Sequence, residues 1–221
     1  IHYPDFFEEG YKHKYDKDIY HYLDNVARND QYEMNRGFGH RLLRCSCVIW
    51  QFKNIDELKA KYYEVINVLE NSYDGEVNTP DVQRLKGMIR EFEEELVWAY
   101  NGVSVKNVHH LHLGFYQDKG ITKGPNMQRD VMPILNQFRE IQPDIISVTL
   151  DPEGSGPDTH YKVLQATAAA VSEWSKEKDL SNVRIYGYRN VWFKFHPAEA
   201  NMYVPVSLNA LAVLDKKFAA S

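Results

Sequence analysis

Cysteine is scarce: the 221 residues hold two, Cys45 and Cys47, both within RCSCVIW. A single residue between them suits neither a disulfide nor a CxxC redox pair, so alternate positions of a buried strand are expected, in a reducing, cytoplasmic setting. No charge of one sign dominates either. The formal net charge is -5, with acidic and basic residues interspersed. That balance excludes the broad basic surface required by duplex nucleic acid or anionic lipid. Long apolar runs are also missing: none approaches the roughly 18 residues of a membrane span. The opening IHYPDFFEEGYKHKYDK is polar and aromatic, unlike a signal peptide. Internal repeats, low-complexity tracts and a clear interdomain linker are absent from the sequence. The remaining composition is 43% hydrophobic and 26% charged, in a chain long enough for one sizeable core. A single domain over residues 1–221 is therefore expected.

Helical periodicity dominates what is present. In NIDELKAKYYEVINVLENS, Ile55, Leu58, Tyr62, Val65, Ile66 and Leu69 recur at threes and fours behind a capping Asn54, giving an amphipathic helix that stops near Gly75. TPDVQRLKGMIREFEEELVWAYNG has a cap residue, a proline in the first turn and a terminal Asn-Gly. Its stripe is Val82, Leu85, Ile89, Phe92, Leu96 and Tyr100, while most of the acidic run EFEEE is expected on the solvated face, with Arg90 able to pair with Glu94. NVHHLHL alternates like a strand, GFYQDKGITKGPN is a loop, and NMQRDVMPILNQFREIQ is helical with a kink or restart at Pro133. DIISVTL follows as a buried strand, THYKVLQATAAAVSEWSKEK as a helix and NVRIYGYR as another strand. Strands and helices thus alternate through the second half, as in an α/β sheet with parallel crossovers.

Between DIISVTL and that helix lies EGSGPDTHYK. In an open α/β sheet, ligands collect outside the carboxyl ends of the strands, where βα loops meet helix N-termini. Gly154 and Gly156 permit unusual backbone angles, and Asp158 or Thr159 can cap the helix. His160 falls in the first helical turn, either as a solvated residue or as a metal ligand.

With its flanks, IQPDIISVTLDPEGSGPDTHYKVLQATAAAV resembles the strand, loop and helix carrying the second histidine motif of the LmbE or PIG-L family of zinc-dependent N-acetylsugar deacetylases. In that family a His-Pro-Asp-His run follows the strand, and its last histidine binds zinc. LKGMIREFEEELVWAYNGV is similar to the family's helix with an arginine and a glutamate three apart, and VHHLHLGFYQDKG to the next strand and its acidic loop. IYGYRNVWFKFHPAEANMYVPVS is similar to the tail of deacetylase-like domains, including those fused behind glucosamine-6-phosphate deaminase in some bacteria. The resemblance runs over residues 79–209. It implies a Rossmann-like α/β fold, a mostly parallel sheet flanked by helices. It also implies zinc held by His160, with Arg90, Glu93, Asp118 and Asp158 at the substrate. Gly156 stands where the family has its first histidine.

The family's N-terminal strand ends in His-Pro-Asp-Asp, which supplies two metal ligands and the general base. IHYPDFFEE, with His2 and Asp5, comes nearest but lacks the second aspartate and a preceding strand. The chain is accordingly expected to be a piece of a longer bacterial protein whose motif lies upstream of Ile1, and catalytically incomplete alone. The implied activity is hydrolysis of the amide of an N-acetylated amino sugar or sugar conjugate. Zinc would lower the pKa of its bound water, and an aspartate would take the proton. The alternative is a catalytically inactive sugar-binding or regulatory domain of a glucosamine-6-phosphate deaminase or isomerase-like protein. The implied partner is an N-acetylated amino sugar or a sugar phosphate, with no nucleic acid or membrane, and homo-oligomerisation is left open.

Two rival constellations remain. His110 and His112, on one face of a strand, could pinch a metal with a third ligand, although two half-exposed imidazoles are the plainer expectation. Tyr188, Trp192 and Phe195 could stack on a sugar, although core closure is the commoner use of such aromatics.

Overall fold

The computed structural model describes residues 15–73, 76–116, 124–150, 158–189 and 194–212. The chain divides into two compact units: Ile1–His109 with Val206–Ser221, and His110–Pro205.

The first unit is helical. Only Asn29 and Asp30 join α1 (Tyr15–Arg28) to α2 (Gln31–Trp50). Asn29 takes a left-handed φ of 57°, and the Asp30 carboxylate caps α2 by accepting from the Glu33 N–H at 3.1 Å, which folds the pair into an αα-hairpin. α3 (Ile55–Asn71) begins as expected, with the Asn54 side chain accepting from the N–H groups of Asp56 and Glu57. It ends before the expected stop, and Gly75 lies outside the described residues. α4 (Pro80–Tyr100) has Val82, Phe92 and Leu96 buried, and Gly102 closes it at φ 82°. Thr79, the expected cap, makes no side-chain capping bond.

α4 packs on both α1 and α2. Ile19, Phe92 and Leu96 form the centre, and the rings of Tyr22 and Phe38 meet Phe92 edge-on. A second cluster of Leu43, Cys47, Phe52 and Leu58 anchors the start of α3. RCSCVIW is therefore not a strand. It is the last part of α2: the helix capped at Asp30 continues through a segment of middling helix propensity because Arg44, Cys45, Ser46 and Cys47 are buried within the unit. Both cysteines are buried and free.

The expected strand NVHHLHL, whose residues fall on both sides of the division between the units, is likewise absent. A 3₁₀ turn, Val105–Asn107, precedes it, and His112 adopts a left-handed φ of 51°. That angle breaks the alternation which would place His110 and His112 on one strand face. The next helix is indeed interrupted at Pro133. A π turn (Met127–Val131), capped by Asn126, runs into α5 (Met132–Ile141) with Pro133 in its first turn, where a missing N–H costs least. Asp130, fully buried, accepts from the N–H groups of Gly114 and Asn126, both at 2.8 Å, and from the neighbouring Arg129 guanidinium.

Strand β1 (Ile145–Thr149), helix α6 (Asp158–Trp174) and strand β2 (Arg184–Tyr188) complete the second unit as a βαβ arrangement. The strands are parallel, with Ile146 beside Ile185, as the alternation predicts. Ala166 and Ala170, both fully buried, let α6 approach the core closely, where Phe138 and Trp174 stack at 5.4 Å beside Leu135 and Ile146. The apolar run of β1 is not buried throughout: Ile146 is, but Ile145 is 57% exposed. Among the described residues the class is thus helix-rich α/β with a two-stranded parallel sheet, and no helix is long and apolar enough to cross a membrane.

Candidate functional site

The carboxyl ends of β1 and β2 lie side by side. Beyond the last paired residues, the Leu150 N–H donates to the Tyr188 carbonyl at 2.8 Å, extending the parallel ladder by one bond. Gly187 makes that closeness workable, since a Cβ there would stand 2.6 Å from Leu150 Cδ2. The Arg189 guanidinium then sits 5.1 Å over the Phe195 ring, so this aromatic serves a cation rather than the core cluster.

α6 starts on the connection leaving this edge. Asp158 occupies its first turn, where a carboxylate is favoured by the helix dipole, and its side chain is 64% exposed. One turn on, the Lys162 ammonium, itself buried, bonds the Asp158 carboxylate. His160, half-buried, lies between them in sequence. The edge thus presents a carboxylate, an ammonium and an imidazole within five residues of one helical turn and a half.

Among the described residues no three His, Cys, Asp or Glu side chains converge as a metal group. Catalytic zinc takes three protein ligands, and the Lys162 ammonium competes with any cation for Asp158.

Arg90 and Glu93 are on α4, in the first unit, where they pair with each other at 3.2 Å, and Arg90 is 83% exposed. The expected Arg90 to Glu94 pair does not form, because Glu94 accepts instead from Trp98 Nε1. Asp118 and Gly156 lie outside the described residues.

A buried charged cluster in the first unit is absent from the expectations drawn from sequence. Arg44 Nε donates to Asp18 across α1 and α2, and an Arg41 guanidinium nitrogen donates to Glu95 of α4 at 2.8 Å; all four residues are buried. Arg41 also lies 5.1 Å over the Phe92 ring. Glu95, in the run expected to be mostly solvated, therefore faces inward. Burial pushes the Asp18 carboxyl up, while its bond from Arg44 pulls the other way. Burial likewise holds the His40 imidazole below its usual range, and drives the Cys47 thiol up to about 11. Such a thiol stays protonated and unreactive near neutrality. Two cations against two anions leave no net charge to recruit a ligand, so the cluster locks three helices together. The signal for it was the Arg41 and Arg44 spacing of three inside an otherwise apolar run, which places both on one helix face.

No family model matches the chain, and no solved structure matches it. It is similar to a glucosamine-6-phosphate deaminase-like protein of Bacteroides thetaiotaomicron, 34% identical over 163 residues that make up 71% of this chain and 24% of the relative. The chain spans about a quarter of the length of the curated relative it matches.

Proposed function

We propose that the chain is the ligand-recognising part of a longer, Rossmann-like protein and binds an amino sugar phosphate at the carboxyl edge of β1 and β2. The observation that carries this reading is the charge pair at the start of α6, an exposed Asp158 carboxylate against a buried Lys162 ammonium beside His160. An amino sugar phosphate bears the complementary pair, an ammonium and a phosphate, and can exchange one ion pair for two. The relative's name supports the same substrate class.

A second reading keeps amide hydrolysis of an N-acetylated amino sugar, with His160 as one zinc ligand. Its support is the position of His160 in the first turn after β1. It requires the remaining ligands and the general base to come from outside the described residues, as it does any contribution from Asp118.

Calorimetric titration tests the first reading. Glucosamine-6-phosphate should bind more tightly than glucosamine or glucose-6-phosphate. Lys162→Met should weaken the two phosphates about tenfold, and Asp158→Asn should weaken the two amines by a similar factor, a loss of about 1.4 kcal/mol each. No binding of any of the three at millimolar concentration, or binding indifferent to both substitutions, overturns it. Stoichiometric zinc on a chain extended upstream, lost with His160→Ala and accompanied by acetate release, would instead establish the second.

A further inference from the structure

The last two and a half turns of α3 carry an apolar stripe on which none of the described hydrophobic clusters packs. α3 is held to its unit through Ile55, Leu58 and Tyr62 in its first half. Beyond Tyr62 the helix is exposed: Tyr63 is 74% exposed and Ile66 49%, followed by exposed Leu69. Isolated apolar residues on a surface need no explanation, but a continuous stripe on a projecting helix does.

The order of residues along that stripe identifies what fits it. Lys59, Tyr63, Ile66 and Glu70 follow at spacings of four, three and four, which puts them on one helix face, and all four are exposed. The face therefore reads basic, apolar, apolar, acidic. Turned end for end, the same series is its own complement. In an antiparallel pair centred between positions 64 and 65, Tyr63 lies against Ile66 of the partner subunit and Lys59 against Glu70 of the partner subunit, and the same two contacts recur by symmetry. Lys61 and Glu64 are not needed, since they pair with each other on the same helix at 2.8 Å.

We propose that α3 is a homodimer surface, pairing antiparallel with α3 of a second copy in this register. The occupant is a second copy because a twofold contact demands a self-complementary patch, and the stripe meets that demand in the order of its charged and apolar residues. The apolar middle supplies the attraction and the terminal charges fix direction and register. One helix face is smaller than the roughly 800 Å² per partner of a standard interface, so the association expected is a weak one. The proposal stands independently of the ligand reading, since α3 carries none of the residues that reading invokes.

Sedimentation equilibrium of the 221-residue chain from about 1 to about 300 μM tests it. The average mass should climb from one chain toward two across that range. Ile66→Glu should hold it at one chain throughout, and Lys59→Glu should weaken association about tenfold. Combining Lys59→Glu with Glu70→Lys should restore wild-type association, because every reversed charge again faces its opposite. All three positions are exposed, and an unchanged circular dichroism melt verifies that each variant is folded. A wild type that stays monomeric at the highest concentration, an association that survives Ile66→Glu, or a charge-swapped double variant no better than Lys59→Glu each overturns the proposal.

Discussion

The two units answer buried charge in different ways. In the helical unit the ion pairs span long stretches of chain: Asp18 meets Arg44 and Arg41 meets Glu95, so each salt bridge joins different helices. In the βαβ unit the buried charges are answered locally, Asp130 by the adjacent Arg129 and Lys162 by Asp158 four residues back. Its buried tertiary contacts are mainly apolar, around Leu135, Ile146 and Trp174, and its long-range ion pair, Arg139 with Glu177, is exposed. Helices packed side by side can slide or rotate relative to one another at small cost, and a buried long-range pair penalises every wrong register. A parallel strand pair already has its register fixed by the hydrogen-bond ladder, so shape alone completes it.

Removing one partner of a long-range pair should therefore be the most damaging single change. Arg41→Leu leaves Glu95 charged and buried, and should cost about 3–5 kcal/mol in urea unfolding. Arg41→Leu with Glu95→Leu should recover most of that loss; if the double variant is as unstable as the single one, the pair does more than neutralise itself. The corresponding weak point of the βαβ unit is steric. Gly187→Ala drives a methyl into Leu150, whose own backbone is tied to Tyr188, and should cost about 1–3 kcal/mol by the same measurement. An unaffected midpoint would show that the strand ends can part, contrary to a unit held by shape.

The smallest expected effect sharpens the comparison through pH. Burial lowers the His40 pKa from its usual 6.5, with Arg36, Arg44 and His21 acting in the same direction and Asp18 against it. The unfolded chain thus takes up a proton that the folded unit resists. The stability linked to neutral His40 is whole above 6.5 and is lost as pH falls below that value. Urea midpoints at pH 7.5 and 5.5 should differ in that sense, and His40→Gln should flatten the difference. A midpoint that rises on acidification would show that His40 does not dominate the titration in this range.

What could be read from the sequence follows the range of the forces concerned. The starts of α3 and α4 and the restart at Pro133 are set by residues close together in the chain and were legible, while the parallel pairing of β1 with β2, a long-range contact, was expected from the alternation of strand and helix. RCSCVIW and NVHHLHL were not legible. The first has apolar alternation that a strand also shows, and only its burial between α1 and α4 makes it helical. The second lacks a strand to pair with among the described residues, and the left-handed His112 follows from that local path. At the candidate site, Asp158 and His160 could be placed in a first helical turn from the turn chemistry before them, whereas the burial of Lys162 depends on how α6 packs. Glu95 was hidden for the same reason: nothing in EFEEE distinguishes the one carboxylate that meets an arginine 54 residues earlier.

Asp130 deserves a different kind of reading, as a clasp. Burial works to raise its carboxyl, but the Arg129 guanidinium and the N–H groups of Asn126 and Gly114 together hold it below the usual range. One ionised side chain thereby fastens positions 114 and 126, the two feet of the intervening stretch, onto the start of a helix. Neutralising Asp130 would therefore loosen both feet and the helix start together, because one carboxylate holds all three.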